Sequence, residues 1–161
     1  MPLRARPGQR VPYAALAELQ GDELVVSHTE QLFAGKSAVV MGMPGAFTPV
    51  CSQRHLPNFV DSADRLKKAG YQMLVCICPN DPWVMDSWAR QVDPKRKIRF
   101  LSDGNLELTR KLGLLSRVEA YHLGDRSERY TIILRDAVIE KLAVEKDILE
   151  FACTASDAIL L

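Results

Sequence analysis

Ala38-Val39-Val40-Met41-Gly42-Met43-Pro44-Gly45-Ala46-Phe47-Thr48-Pro49-Val50-Cys51 is the stretch on which the reading of this chain turns. Its first half is apolar and partly β-branched, too short for a stable helix, and ends at Pro44-Gly45, so it predicts a strand buried on both faces. Its second half predicts a helix start: a Thr48 side chain can cap free amides, and Pro49 at the first helical position sacrifices no hydrogen bond. With Thr48 as cap, Cys51 is the third helical residue, and its sulfur is expected among unpaired amides at a positive helix end. Such surroundings favour thiolate over thiol, and the thiolate is the nucleophilic, oxidisable form of cysteine.

Downstream, Leu56, Phe59, Val60, Ala63 and Leu66 recur at helical spacing. Pro57 should kink this helix by removing a backbone donor, and Gly70 should close it. A second buried strand, Gln72 to Cys78, then requires a parallel pair joined by a right-handed crossover. Asn80-Asp81-Pro82 opens another helix, carrying Trp83, Val84 and Trp88. Phe100-Leu101 predicts a short strand and Leu106 to Leu112 a short helix ended by Gly113. Tyr130 to Leu134 and Val138 to Val144, separated by a polar turn at Arg135-Asp136, predict an antiparallel hairpin. A last short helix is expected over Ser156 to Leu161. The fold class is therefore α/β: a mixed β-sheet flanked by helices on both faces, as in a thioredoxin-like fold.

The 161 residues, without repeat or linker, predict one domain over 1–161 that buries roughly 70% of the surface its unfolded chain exposes. A net charge of +1 advertises no polyanionic partner such as nucleic acid. The apolar runs are far shorter than the ~20 residues of a membrane span, so no membrane association is expected. Arg4, Arg6 and Arg10 precede the first acid, Glu18, but Pro2, Pro7 and Pro12 interrupt any amphipathic helix; a strand or loop leading into the domain is preferred to a transit peptide. Cys51, Cys76, Cys78 and Cys153 include no C-x-x-C pair and the three histidines are scattered, which gives little support to a metal site. The unmatched thiols fit a reducing, cytoplasmic compartment.

Ionisation alone cannot make Cys51 a highly reactive nucleophile. A thiol of pKa ~8.5 is already a few per cent ionised at neutral pH, so full ionisation gains at most ~30-fold, or about 2 kcal/mol. The remainder must come from fixed donors that hold the peroxide in line with the sulfur and stabilise the departing oxygen. Pro44 to Cys51 matches the P-x-x-x-T-x-x-C active-site motif of peroxiredoxins. With Gly8 to Pro12, Leu32 to Lys36, Val75-Cys76-Ile77, Asn80-Asp81 and Gly124-Asp125-Arg126 in register, the chain resembles the atypical two-cysteine peroxiredoxins (type 5, or type II) over nearly its whole length.

The resemblance implies that Cys51 is the peroxidatic cysteine, oxidised to a sulfenic acid, and that Thr48, Pro44 and an arginine opening a later strand complete the pocket. That arginine is expected to be Arg129, with Arg126 as fallback. Cys153 matches the resolving position of the animal-type enzymes and Cys76 that of the plant-type enzymes. Cys153 is favoured, because Cys76 lies in an apolar strand, and an external thiol remains a third route. Cys78 is assigned to packing, and His55 to packing or the surface. The family further implies hydrogen peroxide and organic hydroperoxides as substrates, thioredoxin, glutaredoxin or glutathione as reductant, a non-covalent homodimer packed near the active-site loop, and no cofactor, because sulfur itself carries the two electrons. Two other readings compete. A disulfide reductase would need a second cysteine beside Cys51 at the helix start; a non-enzymatic redox sensor would consume about one equivalent of peroxide and stop.

Overall fold

The computed structural model describes residues 3–152 and 154–160. Its elements in chain order are β1 (Ala15–Gln20), β2 (Glu23–His28), α1 (Thr29–Phe33), β3 (Ser37–Gly42), a wide helical turn (Cys51–His55), α2 (Leu56–Asp61), α3 (Ala63–Lys68), β4 (Met73–Cys78), α4 (Pro82–Val92), β5 (Arg99–Ser102), α5 (Glu107–Lys111), β6 (Leu115–Val118), β7 (Gly124–Ser127), β8 (Tyr130–Arg135), β9 (Val138–Val144) and α6 (Ser156–Leu160). Seven strands form one sheet in the order β2-β1-β5-β4-β3-β8-β9. β3, β4 and β5 are parallel, β8 is antiparallel to β3, and β8 and β9 form the expected hairpin. Its turn falls at Asp136 and Ala137, both at positive φ, the two-residue geometry that matches strand twist.

The side-chain alternation of the central strands divides the interior in two. Val40, Val75, Ile77, Ile132 and Leu134 face one way, toward Leu32 and Phe33 of α1 and Leu108 of α5. Val39, Met41, Leu74, Cys76, Cys78 and Ile133 face the other way, with Leu56, Phe59, Leu66, Met85 and Trp88 of α2, α3 and α4. β3 is buried along its whole length, as its unbroken apolar composition predicts. The N-terminal segment is a loop that joins the tip of β9 through Gly8 N–H to Ile139 O at 2.7 Å and a single bridge from Arg10 to Val138.

Two hairpins were not expected. β1 and β2 pair through a two-residue Gly21-Asp22 connection at one sheet edge, and β6 and β7 make a separate two-stranded ribbon. The long kinked helix expected after Cys51 is three pieces. In the first, the Leu56 amide bonds back to Cys51 O, five residues away rather than four. Pro57 follows at once and has no amide to give, so the wider turn falls where the regular ladder loses a donor.

Candidate active site

The site forms at the carboxyl end of parallel strands β3 and β4, where open α/β sheets place their ligands. The last residue of β3 is Gly42, where any side chain would run into the Tyr130 ring of the paired β8. That contact seats Tyr130, fully buried, and with it the preceding Arg129. Pro44 ends the strand, and the loop is tied by Ala46 N–H to Asn80 Oδ1 at 2.9 Å and by Arg126 Nη1 donating to Pro44 O at 3.4 Å. Phe47 adopts the left-handed region at φ 64°, and helical residues begin at Pro49.

Thr48 caps the helix with its backbone, Ser52 N–H to Thr48 O at 2.9 Å. Its hydroxyl does not cap an amide as expected, and donates instead to Gly45 O at 2.6 Å, closing the loop on itself. Cys51 is third from the start, as its spacing predicts, but its sulfur has no solvent exposure. Arg129, 1% exposed, donates through Nη2 to Cys51 Sγ at 3.3 Å. The same guanidinium is fixed by Ile148 O, at 3.2 Å from Nε and 2.8 Å from Nη2, and by His55 Nδ1 at 3.0 Å from Nη1.

The expected depression of the thiol is not found in this closed conformation. Burial pushes the Cys51 thiol up; the Arg129 charge opposes that, a Cys78 charge adds to it, and hydrogen bonds from Thr48 and the Gly45 backbone lower it in part. The helix start supplies favourable donors, but losing water around a thiolate outweighs them. Arg126, the fallback, bonds Leu123 O at 3.0 Å and Pro44 O, so it braces the loop while Arg129 takes the place beside the sulfur.

His55 is a packing residue, and a consequential one. Arginine can only donate, so Nδ1 must be the bare acceptor and Nε2 carries the hydrogen, which is directed at Met41 Sδ 3.1 Å away. Burial and the neighbouring Arg129 charge hold the His55 imidazolium well below the usual histidine range. A neutral ring thus orients the guanidinium without competing for its charge. Cys76 and Cys78 share a face of β4, as period-two alternation requires, with sulfurs 4.0 Å apart and both fully buried. Cys153 lies outside the described residues. Its neighbours Ala152 and Thr154 are anchored by Glu145 Oε1, which accepts from Ala152 N–H at 2.7 Å, Thr154 N–H at 2.9 Å and the Thr154 hydroxyl at 2.9 Å.

Gly42 and Met41 were missed because their roles come from the pairing of β3 with the distant β8, and Glu145 because its partners are the amides of Ala152 and Thr154 in an irregular loop; no local pattern carries either. Pro44, Thr48, Pro49, Val50, Tyr121, Leu123, Arg129, Ile148 and Leu149 line a cavity of about 270 Å³ whose walls are mostly apolar, with Thr48 and Arg129 among its few polar groups. A larger cavity of about 560 Å³, lined by Lys36, Lys67, Gln72 and Arg99 among others, contains none of the expected site residues. Among the described residues no cluster of three or more His, Cys, Asp or Glu is placed to hold a metal ion.

A family profile described as Redoxin matches residues 6–158. Peroxiredoxin-2B of Arabidopsis thaliana is 36% identical over 141 residues, covering 88% of this chain and 86% of that protein. The hybrid peroxiredoxin hyPrx5 of Haemophilus influenzae is 37% identical over 86% of this chain, which spans 57% of that longer protein. Among solved structures, reduced Prx3 of Vibrio vulnificus in complex with hydrogen peroxide superimposes with a TM-score of 0.91 at 35% identity, covering 97% of this chain and 94% of that one.

Proposed function

Because the chain belongs to the Redoxin family and, within it, to the peroxiredoxins of the type 5 or type II kind, we propose that Cys51 is the atom that reduces the peroxide and that Thr48, Pro44 and Arg129 build its pocket. The protein is a thiol-dependent peroxidase of thioredoxin-like fold. The observation that carries the assignment of residues is the Arg129 guanidinium, 3.3 Å from Cys51 Sγ, at a cavity also lined by Thr48.

A peroxide entering that cavity brings polar atoms to a desolvated thiol, which eases loss of its proton. The thiolate attacks one peroxide oxygen; a sulfur–oxygen bond forms, the oxygen–oxygen bond breaks, and the departing oxygen leaves as water or an alcohol with the proton released by the thiol. The Arg129 guanidinium, held by Ile148 O at Nη2 and by His55 Nδ1 at Nη1, stabilises the charge passing from sulfur to oxygen, and removing one such donor typically costs 10²–10³-fold, or about 2.7–4 kcal/mol. Pro44 and Thr48 line the cavity, and Thr48 places its hydroxyl at the loop's closing point.

Hydrogen peroxide and small organic hydroperoxides are the substrates we assign, the mostly apolar walls suiting the organic ones. The sulfenic acid is then resolved by Cys153, with a thiol of β4 or an external thiol as the other routes, and the enzyme is re-reduced by thioredoxin, glutaredoxin or glutathione. We further assign a non-covalent homodimer, supported by Phe47 and Trp83, 51% and 60% exposed on the loop and helix start around the site, and a cytoplasmic location, in line with the free Cys51, Cys76 and Cys78 thiols. Steady-state peroxide consumption coupled to a thioredoxin system tests this reading: Cys51→Ser is expected to abolish turnover. Consumption of one equivalent by wild type, with no further turnover under any of the three reductants, would favour a redox sensor instead.

A further inference from the structure

Cys78 has no part in the reaction as described so far, yet it lies closer to the active-site end of the sheet than Cys76 does. The pairing of β3 with β4 ends at Gly42 opposite Ile77, and Met43 N–H closes on Ile77 O at 3.0 Å. Cys78 is therefore the first β4 residue beyond the β3 ladder, one pleat further toward the loop that delivers Cys51. Two residues on, Asn80 Oδ1 holds Ala46 of that loop at 2.9 Å. Cys78 and Cys51 face the same side of the sheet and share one buried cluster with Met43 and Ala46. Cys76, in contrast, is locked in mid-strand, opposite Met41 on one side and Phe100 on the other. Cys78 is the last residue of β4 and is followed by Pro79, which has no amide to contribute to a ladder. On the β5 side Cys78 still pairs with Ser102 and its carbonyl accepts from Asp103 N–H at 2.9 Å, so opening there breaks a ladder on one side only, whereas at Cys76 it breaks ladders on both.

We propose that Cys78, rather than Cys76, is the strand thiol that can capture the Cys51 sulfenic acid when Cys153 or an external thiol does not. The inference rests on the peroxidatic reading of Cys51. In the step, the Cys78 sulfur attacks the Cys51 sulfur; a sulfur–sulfur bond forms, the sulfur–oxygen bond breaks, and hydroxide departs with the Cys78 proton as water. Cys78 is oxidised and the sulfenic sulfur reduced to the disulfide level, so no further oxidant is required. The charge of a Cys78 thiolate is among the influences that raise the Cys51 thiol, as expected of neighbours in one desolvated layer. Burial also holds the Cys78 thiol well above the ordinary range. Capture therefore waits on opening of the Cys51–His55 turn and is the slower route.

The test uses the full chain with Cys153→Ser as background, treated with one equivalent of hydrogen peroxide and no reductant. Intact mass and thiol alkylation report the disulfide, and dimedone traps any remaining sulfenic acid. Adding Cys76→Ser is expected to leave the intramolecular disulfide in place; adding Cys78→Ser is expected to abolish it and leave the trapped sulfenic acid to accumulate. Cys78→Ala, with thermal unfolding recorded in parallel, separates loss of the thiol from loss of the fold. The reverse pattern, or no intramolecular disulfide in the Cys153→Ser background, overturns the proposal while leaving the peroxidatic reading intact. Absence of any dimedone adduct or disulfide involving Cys51 in every variant overturns that reading and the inference with it.

Discussion

At the scale of single residues, the site depends on a histidine that must stay uncharged. His55 accepts from Arg129 through Nδ1, so protonating that nitrogen would set two cations against each other in a buried layer. Its folded pKa lies well below the ordinary 6.5, which an unfolded chain would retain. The stability it contributes is therefore fully present above about pH 6.5 and is lost as pH falls from there toward the folded value, because only the unfolded state takes up the proton. Thermal unfolding of wild type between pH 7.5 and 5 should show the melting temperature falling with acidity, and His55→Gln should flatten that slope. An unchanged slope would place the ring's titration outside the stability of this layer. Cys51 itself could be identified in the sequence by its motif and its helix-start position. Its full burial could not, since that depends on how Arg129, Ile148 and the apolar walls close over it.

At the scale of elements, the decisive junction is Gly42 against Tyr130. The absent side chain lets the Tyr130 ring lie across β3, and Tyr130 opens the strand that Arg129 precedes. Gly42→Ala should therefore overpack a buried junction and cost about 1–3 kcal/mol. At about 2–4 °C per kcal/mol for a chain of this size, the expected fall in melting temperature is several degrees, with a slower peroxide reaction because Arg129 shifts with its neighbour. Calorimetry beside a rate measurement checks both; a variant as stable and as fast as wild type would remove the junction from the design. The elements legible in the sequence were those with a strong local signal: the apolar runs of β3 and β4, the Asp81-Pro82 start of α4, where Asp81 Oδ1 accepts from Val84 N–H at 2.9 Å, and the β8–β9 hairpin. β6 and β7 were not, because residues such as Ser116, Arg117, Asp125 and Arg126 carry no apolar alternation. β1 and β2 could have been found from the two-residue Gly21-Asp22 connection between alternating strands, where Gly21 takes a positive φ.

At the scale of the whole molecule, the sheet brings two segments far apart in sequence, Pro44–Cys51 and Arg129, to one end, and leaves aromatic surface around them. Phe47 on the active-site loop and Trp83 at the start of α4 are each more than half exposed, an unusual placement for large rings. We propose that a second copy of the chain covers them in a homodimer. Sedimentation at micromolar concentration should give about twice the 18.0 kDa chain mass for wild type, and Trp83→Asp should shift the species toward the monomer. A wild-type monomer at all concentrations would leave those rings without the assigned cover. The α/β class was legible because strand–helix–strand order fixes parallel pairing and handedness, whereas the thioredoxin-like form of it rested on the family resemblance, since periodicity does not separate it from other mixed sheets; the order of all seven strands was not legible, because the edge strands carry weak signals.

The chemistry rests on a guanidinium held against one sulfur, and the most direct probe is the second-order rate of the first oxidation. Stopped-flow mixing of reduced protein with hydrogen peroxide, followed by mass analysis of the Cys51 peptide, should give wild type one added oxygen on Cys51 in a fast bimolecular step. Arg129→Gln should give the same product about 100-fold more slowly. Equal rates for the two proteins, or oxygen added at another residue with Cys51 untouched, would contradict the assignment.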